Sequence, residues 1–136
     1  MATKIFINLP VKNLDKSIAF FTSLGFSFNP QFTDEKAGCM VISEHIFAML
    51  LTESYFKTFT KKTVSDAKTS TEVLIALDTN SKEEVQQMIT KAEELGATIY
   101  NDPQDHGWMY VHSFADLDGH QWEFMYMDQT QLPNQE

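Results

Sequence analysis

A repeat is the feature that most limits what this chain can fold into. Residues 4–11 read as a strand, β-branched and aromatic in the first half and ended near Pro10. Asn13 is a candidate N-cap for a helix in which Leu14, Ile18 and Phe21 recur at helical spacing, with Gly25 as its stop. Strands are then expected at residues 26–29, 39–43 and 45–52. The second half runs through the same plan. Residues 72–77 read as a strand, and Ser81 with Glu84 forms a capping box. Val85, Met88, Ile89, Ala92 and Leu95 line one face of the helix that follows, and Gly96 ends it. Three more strands are expected at residues 98–100, 109–114 and 120–127.

The halves also correspond in detail. Gly25-Phe26-Ser27-Phe28-Asn29-Pro30 mirrors the run from Gly96 through Tyr100 to Pro103, and Met40-Val41-Ile42-Ser43 mirrors Tyr110-Val111-His112-Ser113. Duplication of one supersecondary unit explains this, each copy burying its sheet against its own helix and the other half. The expected class is α+β, built from two βαβββ modules. Residues 54–59 are read as a short helix, and residues 60–70, rich in Lys, Thr, Ser and Asp with no apolar period, as the connection. The expected organisation is one domain over residues 1–136, with module one at about 4–59, module two at about 71–128 and a tail at 129–136.

Composition narrows the partners. At 136 residues with a 43% apolar share, the chain can bury a core without disulfides, and its single cysteine, Cys39, cannot form an internal one. No signal-peptide pattern opens it and no long apolar run follows, so a soluble, cytoplasmic protein is expected. The net charge is −9 and all ten basic residues are lysine. An acidic surface without arginine repels polyanions, so neither nucleic acid nor a membrane is expected as a partner. No glycine-rich phosphate loop and no Ser-His-Asp arrangement stands out, and Cys39 lacks the basic setting of a nucleophile.

The densest chemistry lies in Asp116-Leu117-Asp118-Gly119-His120-Gln121-Trp122-Glu123-Phe124. Asp118-Gly119 is a turn pair and the residues from Trp122 to Met127 are strand-forming, so a hairpin is expected. Glu123 then sits inside a strand, where a carboxylate must face water, be paired or hold a metal. It is the candidate catalytic residue, as a general base, and the candidate metal ligand. The alternative is a carboxylate that is hydrogen-bonded in a pocket wall or faces solvent. Alternation places Tyr110 and His112 on one face with Phe114. If that face is concave, both can join Glu123 around a ligand; if not, His112 is exposed. His106 lies in a loop at a strand entrance, either on a pocket rim or in an ordinary turn. Asn8, mid-strand, either fixes a ligand by its amide or satisfies a neighbouring backbone group. His45 and His120 are read as turn residues. Met40, Met49, Met109, Met125 and Met127 are core filler or adaptable pocket wall.

Asp-x-Asp-Gly-x-x-x-Glu followed by an apolar strand resembles the C-terminal signature of the vicinal oxygen chelate superfamily. That superfamily includes glyoxalase I, extradiol dioxygenases, fosfomycin-resistance enzymes and bleomycin-resistance proteins. The repeat over residues 4–128 resembles its fold, and Leu9-Pro10-Val11 leading into Phe20-Phe21 is similar to its opening strand and aromatic-rich first helix. The resemblance implies a curved mixed sheet around a cavity and a homodimer. It also implies metal ligands on the first and last strands of both modules in metal-dependent members. Those positions fall here on Phe6 or Asn8, Ala48 or Leu50, Leu74 or Ala76, and Glu123. Only Glu123 can hold a divalent cation, so no cofactor is expected although a divalent metal stays open. Two functions follow from the resemblance: a glyoxalase-like small-molecule binder without the usual ligand set, or a metal-dependent lyase or dioxygenase whose relocated site adds His112 or His106 to Glu123.

Overall fold

The computed structural model describes residues 1–132; the end of the expected tail, residues 133–136, lies outside them. The chain divides into two compact units, Met1–Ser65 and a second from Asp66 onward. They are built on one plan. Strand β1 (Ile5–Val11) leads to helix α1 (Leu14–Ser23), then β2 (Ser27–Phe28), β3 (Ala37–Val41) and β4 (Ile46–Thr52). A single helical turn, α2 (Glu53–Phe56), continues as a 3-10 turn over Lys57–Phe59. The second unit has β5 (Leu74–Asp78), helix α3 (Lys82–Glu94), then β6 (Gln104–Asp105), β7 (Met109–Ala115) and β8 (Gln121–Met127). The α+β class and the βαβββ order are those the repeat implied.

Local chemistry sets the helix boundaries. The Asn13 side chain accepts the Lys16 N–H and that of Ser81 the Glu84 N–H, each satisfying a donor that the first turn leaves orphaned. The Glu84 carboxylate reaches back to the Asn80 N–H at 3.1 Å, one residue before the cap. Both helices stop where Gly25 and Gly96 take positive φ, 110° and 107°.

Each sheet places its first strand parallel to its last and adds a hairpin partner and a short edge, giving the orders β1-β4-β3-β2 and β5-β8-β7-β6. One face of each sheet is covered by its own helix. In the first unit that face carries Leu9, Val11, Ala48, Leu50 and Met40, all buried. Helix α1 approaches so closely that a β-carbon on Gly38 would meet Ile18 at 3.1 Å. In the second unit the covered face carries Ile75, Tyr110, Phe114, Trp122 and Phe124 beneath Val85, Ile89 and Ala92 of α3. Burying a side chain of this size contributes roughly 1.5–3 kcal/mol, so these two layers dominate the stability of their units.

Three expectations about the short elements need correction. Residues 98–100 make only an isolated bridge, Thr98 to Ala115, and the edge strand is β6 at Gln104–Asp105. The strand expected at residues 26–29 shrinks to Ser27–Phe28. The strand expected at residues 39–43 begins earlier, at Ala37. Edge strands pair on one side only, so little apolar patterning marks them.

Candidate functional site

Because side chains alternate along a strand, the register decides which residues share the face that no helix covers. In the second unit Ala76 pairs with Glu123, and Glu123 with Ser113. Glu123 therefore shares the helix-free face with Met125, Met127, Met109, Val111 and Leu74. Its carboxylate is half-buried, and among the described residues no hydrogen bond or ion pair engages it. In the first unit Phe6 pairs with Phe47 and Asn8 with Met49. The rings of Phe6 and Phe47 stack 4.8 Å apart on this face, and Phe6 remains 50% exposed. Asn8 is exposed beside them, its amide donating to the Phe6 carbonyl at 3.4 Å.

The hairpin that delivers Glu123 is organised by Asp116, which is 6% exposed. One carboxylate oxygen accepts the Asp118 and His120 N–H groups, and the other the Trp122 indole N–H, all at 3.0 Å. Burial pushes this carboxyl above the ordinary carboxylate range, against the pull of His120 and of its donors. Gly119 closes the turn at φ +94°, with the Ala67 and Lys68 backbone 2.8 Å from where a β-carbon would sit. The first acid of Asp-x-Asp-Gly is thus the keystone of the turn. Reading the motif through Asp118-Gly119 alone missed it, although an acid two residues before the turn and six before a tryptophan is the available signal.

The profile of the Glyoxalase/Bleomycin resistance protein/Dioxygenase superfamily matches residues 5–124. The chain belongs to this superfamily. No curated protein matches it. Among solved structures, hypothetical protein SA1046 from S. aureus is 29% identical, with a TM-score of 0.79 over 93% of this chain and 94% of that one. A glyoxalase/bleomycin resistance protein/dioxygenase family enzyme from Burkholderia phytofirmans shares the fold at 14% identity, with a TM-score of 0.74 over 90% and 96%. The fosfomycin resistance protein FosX from Listeria monocytogenes does so at 20% identity, with a TM-score of 0.68 over 96% and 97%.

Register and cap spacing show how the two units correspond. Asn8 and Ala76 each stand five residues before an N-cap, Asn13 and Ser81, and their strand partners are Met49 and Glu123. The expected alternatives Ala48 and Leu50 are wrong by one residue, since both pack on the α1 side. Neither pair suits a divalent cation, which needs three or four nitrogen, oxygen or thiolate donors: Asn8 and Met49 offer an amide and a thioether, and Ala76 and Glu123 a methyl and one carboxylate. Among the described residues no three His, Cys, Asp or Glu side chains are grouped to hold an ion.

The expected cluster of Tyr110, His112 and Glu123 does not form. His112 pairs with Phe124 and Tyr110 with Tyr126, so both lie on the α3 side while Glu123 points the other way. Tyr110 is buried there, with the Lys82 ammonium 4.9 Å from its ring centre. The His112 Nε2 lies 2.9 Å from the Asn101 carbonyl. His106 is exposed in the β6–β7 turn, its N–H on the Met109 carbonyl. Met109 pairs with Met127, four residues along β8 from Glu123, a separation of about 13 Å. Neither histidine is therefore placed to share an ion with Glu123. His45 and His120 sit in turns, and burial raises the Cys39 thiol, which keeps it unreactive. No helix among the described residues is long and apolar enough to cross a membrane.

Proposed function

We propose that this protein is a small-molecule binder of the superfamily that works without the metal-ligand set of its metal-dependent relatives, and that the ligand rests on the helix-free sheet face carrying Glu123. The observation behind this reading is the pairing of Ala76 with Glu123 on a face that also carries Met109, Met125 and Met127. It leaves one carboxylate among thioethers and small apolar groups, a surface suited to an adaptable apolar contact with one anionic anchor. A neutral or cationic ligand fits that anchor and the net charge of −9. Glu123 orients the ligand through its hydrogen-bond donors or cationic group; a proton-transfer role would require the ligand to present an acidic proton at the same place.

Two measurements test this. The protein should purify with far less than one metal per chain, and zinc, nickel or iron should raise its melting temperature little, because one carboxylate binds such ions weakly. In a thermal-shift panel of small amines and neutral aromatics, responses to the amines should vanish in Glu123→Gln. Elemental analysis giving about one metal per chain, lost in Glu123→Ala, would overturn the metal-free reading and favour a metal-dependent lyase or dioxygenase.

A further inference from the structure

The second unit holds a cavity of about 600 Å3 that Asp116 and Gly119 line but Glu123, Tyr110, His112 and His106 do not. It lies between the 67–71 loop, the end of α3 at Gly96, and the 115–121 turn. Its volume is within the roughly 300–1,000 Å3 usual for small-molecule sites. The loop that walls it is prearranged. The Asp66 side chain accepts the Lys68 N–H, and the Asp66 carbonyl accepts the N–H groups of Thr69 and Ser70 as well as both of their hydroxyls. At the end of this loop Thr71 donates its hydroxyl to Gln121 Oε1 at 2.6 Å, joining the loop to the start of β8.

These bonds determine what the wall can offer a ligand. Thr69 and Ser70 have committed their hydroxyl protons to Asp66, so their oxygens retain acceptor capacity. Gln121 has its carbonyl occupied by Thr71, so its amide group retains donors, and Lys68 adds more. Formal charge is nearly balanced. Lys68 is opposed by the Asp116 carboxylate, which already accepts three N–H groups, and by the electronegative C-terminal end of α3 at Gly96. Tyr100, 40% exposed, supplies an aromatic surface at the same place. Interleaved donors and acceptors, little net charge and one exposed ring match hydroxyl groups, which donate and accept at once, on a body with an apolar face.

We infer that this cavity binds a neutral polyhydroxylated molecule of sugar size, stacked on Tyr100 and hydrogen-bonded to Gln121, Lys68 and the Thr69–Ser70 hydroxyl oxygens. The test is a titration of the full chain, 15N-labelled, with D-glucose and maltose, and with D-glucuronate and D-glucosamine as charged counterparts. Amide shifts should be confined to residues 67–71, 96–100 and 115–121. Tyr100→Ala, a substitution at an exposed position, should weaken binding about tenfold, the loss of one aromatic contact. Gln121→Ala should weaken it as well. Absence of shifts with either neutral sugar would overturn the inference. So would tighter binding of glucuronate or glucosamine than of glucose, or undiminished binding by a Tyr100→Ala protein whose spectrum stays dispersed. Shifts centred on Ser113 and Glu123 would also overturn it, by placing the sugar further along the sheet, away from the 67–71 loop. Glu123→Gln should leave this titration unchanged, so the two sites fail or succeed separately.

Discussion

Replacing Asp116 by alanine removes the acceptor for three N–H groups at once. Their fates differ. The Asp118 and His120 amides belong to half-buried residues that water can reach, so each loses about the net value of an ordinary hydrogen bond, ~1 kcal/mol or less. Trp122 is fully buried, and its indole N–H would lose the Asp116 acceptor at a cost of ~1–3 kcal/mol. Relief of the buried charge returns part of this, because the raised pKa shows that desolvation opposes the carboxylate. The expected net loss is about 2–4 kcal/mol, or a fall of roughly 10 °C in Tm for a chain of this size. A double-mutant cycle isolates the indole contribution. Trp122→Phe deletes the N–H donor, so Asp116→Ala should cost at least ~1 kcal/mol less in that background. Urea denaturation followed by far-UV circular dichroism measures all four proteins. Additive losses would refute the assignment of Asp116 as the acceptor that holds Trp122.

Further outcomes follow from the same geometry. The native state binds a proton at Asp116 more tightly than the unfolded chain does, so that stability is fully present below the unfolded carboxyl pKa and is lost as pH rises through the native value. Relative to the non-titrating Asp116→Asn, the wild type should therefore gain stability on acidification and level off below about pH 4, as urea midpoints at stepped pH will show; the opposite slope would mean that the hydrogen bonds outweigh burial. Gly119→Ala should cost at least ~2 kcal/mol, because the left-handed strain adds to a backbone clash that no side-chain rotation relieves, and an unchanged Tm would contradict the close approach of the loop. We propose a homodimer in solution, since β1 and β5 are edge strands with Ile5, Phe6, Val73 and Leu74 exposed on or beside them. Sedimentation velocity at micromolar concentration should give a two-chain species, and a monomer would defeat that proposal.

What was legible in the sequence was local chemistry with a fixed spacing. Asn13, Ser81, Gly25 and Gly96 act on atoms within four residues of themselves, and all four behave as read. Phase across strands was harder. Residues 46–51 form an unbroken apolar run, so no alternation distinguishes Phe47 and Met49 from Ala48 and Leu50; only the partner strand does. The same gap explains the lost cluster. Spacing within β7 placed Tyr110 with His112 correctly, but their side relative to Glu123 depends on how β7 registers with β8, which neither strand encodes alone. Asp116 was obscured for another reason. A buried carboxylate is unfavourable until its donors are in place, and one of those donors is six residues away in a strand.

The parallel pairing at one edge of each sheet has a consequence during synthesis. Strand β1 leaves the ribosome with its Ile5, Phe6 and Ile7 side chains and its backbone hydrogen-bonding groups unpaired, yet its partner β4 comes only after α1, β2 and β3 have been made. Until residue 52 has emerged, β1 is an unpaired apolar strand, the kind of segment that associates with other nascent chains. Strand β5 must wait for β8 in the same way, with Val73 and Leu74 exposed meanwhile. The interval between the first and last strand of each unit, more than the final stability, therefore sets how far yield depends on translation speed and chaperone supply. Pausing translation once residue 52 has emerged from the ribosome should favour soluble protein, whereas pausing when only residues up to 30–45 have emerged should favour aggregates.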